Sequence, residues 1–197
     1  MKKKLVILTT HFGTNFSGGS TATCEIFSRI ESEFDSVIVI GTELGEHSFK
    51  ALKFIQYRNW LHALQVLKDF QSESAVFYGD FFNSFLFILA RQPYFFTYHD
   101  NWPELRVLSL PYRLKSFFYV PIYEWIFKKA KHIFVVSQKK LIEVAKYNAE
   151  ISLIRNGFNR FPIEAVKREK AILMVGNIDH RKYAKAIALF SLLDRNF

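Results

Sequence analysis

The chain has 197 residues, half of them apolar, with a mean hydropathy of +0.03 and a net charge of +9. That is enough for one domain with a sizeable core, or one domain and part of a second, and too apolar and mixed for a disordered or fibrous chain. Cys24 is the single cysteine, which excludes a disulfide scaffold and cysteine-ligated metal sites and fits a reducing compartment; the positive charge leaves nucleic acid, an acidic membrane surface or phosphorylated substrates open as partners.

Met1-Lys2-Lys3-Lys4 precedes only a short apolar run, 5–8, too short for a signal-peptide core or a membrane span. The longer run at 81–90 holds Asn83 and Ser84 and covers about half a span. A cytoplasmic protein is expected. Residues 4–9 read as a buried parallel strand. A turn-rich loop, 11–20, follows it, and then a helix over 21–32 capped by Ser20 or Thr21. Strands are predicted at 36–40 and 51–57, and a helix over 58–70 with Trp60, Leu61, Leu64, Leu67 and Phe70 on one stripe. Another strand at 75–78, a helix over 81–91 and a strand over 93–98 continue the alternation, which is the signature of a parallel sheet covered on both faces.

From 104 to 131 the sequence turns aromatic and basic. Pro111 and Pro121 read as first-turn prolines, which predicts two helices, 111–119 and 121–131. Between Arg106 and Lys146 nine Lys/Arg face only Glu124 and Glu143, so most of the net charge sits here. A strand over 132–136, a helix over 138–147 capped by Ser137 and a short strand over 151–154 complete the first domain, 1–163. Residues 164–170 read as a linker, and 171–197 as one further βα unit whose apolar strand calls for neighbours on both edges. The chain therefore reads as cut shortly into a second domain.

Three constellations carry chemistry. Tyr98-His99-Asp100-Asn101-Trp102-Pro103 follows an apolar strand, and the carboxyl end of such a strand opens onto the crevice where open α/β sheets bind ligands. The same residues also suit a polar turn that caps the next helix. The loop 13–20 has P-loop glycine spacing, but Gly19 stands where the phosphate-binding lysine belongs, and it is not GxGxxG either. It suits a phosphate or a sugar hydroxyl, or serves as a plain tight turn. Arg181 and Lys182 open a helix after the strand 171–175, where two cations oppose the helix dipole and gain from an anionic ligand. The stretch 112–131 interleaves Phe117, Phe118, Trp125 and Phe127 with Arg113, Lys115 and Lys128. That pattern fits an anionic membrane surface or a core-facing aromatic helix, and no nucleic-acid motif accompanies it.

In this order, Gly18-Gly19-Ser20, Tyr98 to Pro103, Ile133 to Ser137, Ile154-Arg155-Asn156-Gly157-Phe158-Asn159 and Val175-Gly176-Asn177 through Arg181-Lys182 resemble the retaining GT-B glycosyltransferases, family 4 above all. The resemblance implies an α/β, Rossmann-like parallel sheet flanked by helices as the acceptor-side domain, followed by a second such domain. It implies transfer of a sugar from a nucleotide-sugar to a glycan or lipid-linked acceptor in cell-surface polysaccharide synthesis. No metal and no cofactor are expected, because the nucleotide-sugar is a substrate. His99 and Asp100 take the catalytic positions by this resemblance, with His99 bordering the transferred sugar. Gly18, Gly19, Ser20, Asn156, Gly157, Asn177, Arg181 and Lys182 take the substrate-binding ones. Asn177 stands where an arginine is usual, and Arg181 is the nearby cation to replace it. The family's paired glutamates lie further downstream, so the 197-residue chain is expected to be inactive alone. The alternative is a non-catalytic α/β binding or membrane-association module.

Overall fold

The computed structural model describes residues 2–70, 74–99 and 110–155, all within one unit, Met1–Asn156. Asp100, Asn156, Gly157, Asn177, Arg181 and Lys182, the linker and the last βα unit lie outside the described residues. In chain order the elements are β1 (Lys4–Leu8), β2 (His11–Phe12), α1 (Gly18–Arg29), β3 (Ser36–Gly41), β4 (Glu43–Leu44), β5 (Leu52–Gln56) and α2 (Trp60–Lys68). There follow β6 (Ala75–Gly79), α3 (Phe85–Leu89), β7 (Tyr94–Tyr98), α4 (Leu110–Lys129), β8 (His132–Val135), α5 (Gln138–Ala145) and β9 (Ile151–Leu153).

Seven strands form one sheet in the order β5-β3-β1-β6-β7-β8-β9, every pairing parallel. The apolar runs explain why the sheet is buried on both sides. Strand side chains alternate between faces, and β1 sends Val6 and Leu8 into one core cluster and Leu5 and Ile7 into the other. α1 supplies Cys24 and Phe27 to the second cluster, and the first collects Ala63 and Leu67 of α2, Tyr123, Ile126 and Phe127 of α4 and Val144 of α5. Each such side chain taken from water contributes about 1.5–3 kcal/mol, so the doubly covered centre is the most strongly held part of the domain.

Several boundaries differ from expectation for identifiable reasons. α1 starts at Gly18, because Ser17 is its cap: its extended backbone lets Oγ accept from the Ser20 N–H at 3.2 Å. Ser20 is instead buried within the first turn. The helix expected over 81–91 is a 3₁₀ turn, Phe82–Ser84, running into the short α3. The two helices expected around Pro121 are one, α4. Pro121 lies on its exposed face, while Ser116, Tyr123, Ile126 and Phe127 pack inward on either side and carry the helix through the missing N–H. Ser137 caps α5 as expected, its Oγ accepting from the Lys140 N–H. A small second sheet, β2 with β4, was not expected; it holds the loop after β1 against the one after β3. No helix among the described residues is long and apolar enough to cross a membrane.

Candidate functional site

The sheet order places the site. From β1 the chain moves outward through β3 to β5, then returns to lay β6 on the other side of β1. The point where the order reverses leaves a gap above the carboxyl ends of β1 and β6, and ligands of open α/β sheets bind in such gaps. A crevice of about 220 Å³ occupies it. Thr9, Thr10 and His11 line it from the end of β1, Ser17, Gly19 and Ser20 from the start of α1, Asp80 and Phe81 from the end of β6, and His99 from the end of β7.

Each wall has its own chemistry. At the start of α1 the first-turn N–H groups have no partners within the helix, which makes this rim attractive to anions. Gly19 lets the rim lie against the imidazole: a Cβ there would stand 3.4 Å from Cβ and Cγ of His99. The Ser20 hydroxyl donates to the carbonyls of Gly13, at 2.8 Å, and His11, at 3.1 Å, so it braces the loop from within. Gly13 itself sits at φ +146°, against the backbone of Gly45 and Glu46, a conformation open mainly to glycine.

His99 is half-buried where β7 ends. Burial, and secondarily the ammonium of Lys140, pull its pKa down to about 4, so the ring is neutral throughout the physiological range. Asp80, on the crevice wall at the end of β6, is buried, and its Oδ2 accepts from the Thr23 hydroxyl at 2.7 Å. Burial and this carboxylate push the Tyr78 phenol far up, which keeps it a neutral donor to Thr97 Oγ1 at 2.7 Å. His11 is more open, stacked on Phe16 and 3.9 Å from Glu43. The crevice thus offers an anion-favouring rim, a neutral imidazole and a buried carboxylate. Such a set suits a ligand with hydroxyls and a negative group at one end.

Of the residues expected from sequence, Gly19, Ser20 and His99 meet in this crevice, and Gly18 is the first residue of α1 beside it. Asp100 and the downstream set Asn156, Gly157, Asn177, Arg181 and Lys182 lie outside the described residues. Thr9, Thr10, His11, Ser17, Asp80 and Phe81 were not singled out. The signal for Asp80 was present: it directly follows the buried run Ala75–Gly79, as His99 follows β7. Among the described residues no group of three or more His, Cys, Asp or Glu is placed to hold a metal ion.

No protein-family model matches the chain, and no curated protein matches it. Solved structures do. A UGT transferase from Siraitia grosvenorii, in complex with UDP, matches at a TM-score of 0.51 and 9% identity, over 79% of this chain and 51% of that one. A UDP-glucosyltransferase from Polygonum tinctorium matches at 0.49 and 9%, over 86% of this chain and 56% of that one. The chain therefore spans about half the length of the solved structures it matches. The likeness is one of fold: a Rossmann-like α/β sheet flanked by helices, as in the matched part of the Siraitia transferase.

Proposed function

We propose that this chain is the acceptor-side domain of a GT-B glycosyltransferase of the family 4 kind. The enzyme moves a hexose from a nucleotide-sugar donor to a glycan or lipid-linked acceptor of a cell-surface polysaccharide. The observation that carries the reading is the convergence of a helix N-terminus, a neutral His99 and a buried Asp80 at the switch point of the sheet. The fold likeness to a transferase crystallised with UDP supports the donor class. In this reading Asp80 accepts a hydrogen bond from a sugar hydroxyl, and the start of α1 faces the departing diphosphate, whose charge is greatest as the sugar leaves. His99 lines the reacting sugar. Residues 171–197 begin the nucleotide-sugar domain, with Arg181 and Lys182 on the diphosphate.

Saturation-transfer NMR on the purified chain tests this directly. A UDP-hexose and short glycans are expected to receive saturation on their sugar protons, and Gly19→Val, which fills the space beside His99, is expected to abolish it. Saturation that survives Gly19→Val, or none for any nucleotide-sugar or glycan, overturns the assignment.

One further observation favours work at an anionic membrane. α4 has two apolar faces. Tyr123, Ile126 and Phe127 enter the core, while Leu110, Leu114, Phe117, Phe118 and Trp125, spaced as one helical stripe, face outward, with Phe117 76% exposed. Arg113, Lys115, Lys128 and Lys129 are exposed on the same helix. The one acidic group on it, Glu124, accepts from the Tyr147 hydroxyl. Aromatic insertion plus about 1 kcal/mol per Lys or Arg near an anionic surface gives reversible attachment. Co-sedimentation is expected with phosphatidylglycerol-containing vesicles over pure phosphatidylcholine, weakening with salt and with the Phe117→Ser/Phe118→Ser double variant. Equal binding to both vesicle types would remove the membrane from this proposal.

A further inference from the structure

Lys140 is a buried cation that the proposed chemistry does not use. It is the third residue of α5, only 8% exposed, and its backbone N–H is held by the capping Ser137. Burying an ammonium carries a desolvation penalty of several kcal/mol, which a leucine or methionine in the same space would not incur. The ammonium has specific neighbours. Nζ donates to the carbonyl of His99 at 3.0 Å and stands 4.1 Å from the ring centroid of Tyr98. Tyr98 is the last residue of β7 and pairs with Val135 of β8, just before the Ser137 cap. Lys140 therefore grips the main chain at the point where it leaves the sheet, through one strong hydrogen bond and one cation–π contact.

We propose that Lys140 is a positioning residue of the crevice, its ammonium fixing the His99 carbonyl and with it the direction from which the imidazole enters the crevice that Asp80 also lines. The same charge has an electrostatic effect on the ring, adding to burial in keeping it neutral. Among the described residues the other titratable groups on the crevice walls are Asp80, at the end of β6, and His11, in β2. The ring stays a neutral hydrogen-bonding group beside a buried acid. The consequence for turnover rests on the proposed function; the geometry and its readout do not.

The test is an NMR titration of the His99 imidazole in the wild-type chain and in Lys140→Met, Lys140→Gln and Lys140→Arg. Lys140→Met keeps most of the stem and removes the charge. His99 is expected to titrate higher there, by a few tenths of a unit to about one unit, remaining below the ordinary value because burial is the larger cause. Lys140→Gln, which retains a donor for the carbonyl, is expected to shift the titration upward with smaller changes in the resonances of Tyr98 and His99. Lys140→Arg is expected to keep the low value. An unchanged His99 titration in a folded Met or Gln variant overturns the proposal. If Lys140→Met does not fold, the Gln and Arg pair decides by the same criterion. In a complete glycosyltransferase of the proposed kind, Lys140→Met is expected to lose about tenfold in kcat with donor KM nearly constant. Absence of saturation transfer to any nucleotide-sugar or glycan by every one of these proteins, with the His99 shift intact, would count against the glycosyltransferase reading and leave the positioning role standing.

Discussion

Under the proposed function, replacing His99 by alanine in the complete glycosyltransferase is expected to lower sugar-transfer turnover about a hundredfold while donor affinity changes little, the pattern of an interaction made at the reacting centre. The imidazole lies against Gly19 on one side of the crevice, and its pKa of about 4 keeps it uncharged at neutral pH. Under the proposed function it serves there as a hydrogen-bonding wall. His99→Gln, which retains a neutral polar group, is expected to recover much of the loss. The rate should show no inflection from this group near pH 6.5, where a free histidine titrates. Stability follows the same linkage. The folded value lies below the ordinary 6.5, so as pH falls the unfolded chain takes up the proton first. The contribution of His99 is intact above about pH 6.5 and erodes as pH drops towards 4. His99→Gln is therefore expected to unfold with a shallower dependence on pH across that window. Equal losses in kcat and donor affinity would place His99 away from the reacting sugar.

The strands were legible because a parallel sheet covered on both faces needs apolar runs, and 4–8, 36–40 and 94–98 are such runs with turn formers at their ends. His99 was legible for the same reason, as the first polar group past β7. Asp80, the first polar group past β6, obeys the same rule and was missed, because what brings it into one crevice with His99 is strand order. β6 returns to pair with β1, and no local pattern in the sequence encodes that pairing. Ser17 was passed over because Ser20 and Thr21 cap equally well by type; which one is extended depends on how β2 and β4 hold the loop. Pro121 misled because a proline inside a helix normally breaks it, and only the packing of Tyr123, Ile126 and Phe127 on the opposite face shows why this one does not. Lys140 gave no sequence signal at all. It stands next to Lys139 in a helix with no pattern to mark it, and its burial is a tertiary fact.

Gly79→Ala is expected to destabilise the domain by about 1–3 kcal/mol, an overpacking cost, and to lower Tm by roughly 2–12 °C. Gly79 ends β6 opposite Leu8 of β1 and Phe96 of β7, in the middle of the sheet. A Cβ there would meet Ser84 Oγ at 2.1 Å, Ser84 Cβ at 2.9 Å and the Phe87 ring at 3.2 Å, and both of those side chains are fully buried. The hydroxyl can rotate away. The Ser84 Cβ and the ring cannot retreat without moving the 3₁₀ turn at Phe82–Ser84 and the start of α3. Since Ser84 Oγ has no hydrogen-bond partner among the described residues, truncating it removes little that is favourable. Gly79→Ala/Ser84→Gly is therefore expected to recover part of the loss, so that the double variant is destabilised by clearly less than the sum of the single changes in a double-mutant cycle measured by urea unfolding. Gly79 immediately precedes Asp80, so the strain also displaces the carboxylate from Thr23. Ligand saturation in the NMR assay should weaken in Gly79→Ala even under conditions where the protein is fully folded. An unfolding midpoint equal to wild type would show that the turn after β6 has slack, and that the close approach of Gly79 to Ser84 does not set the floor of the crevice.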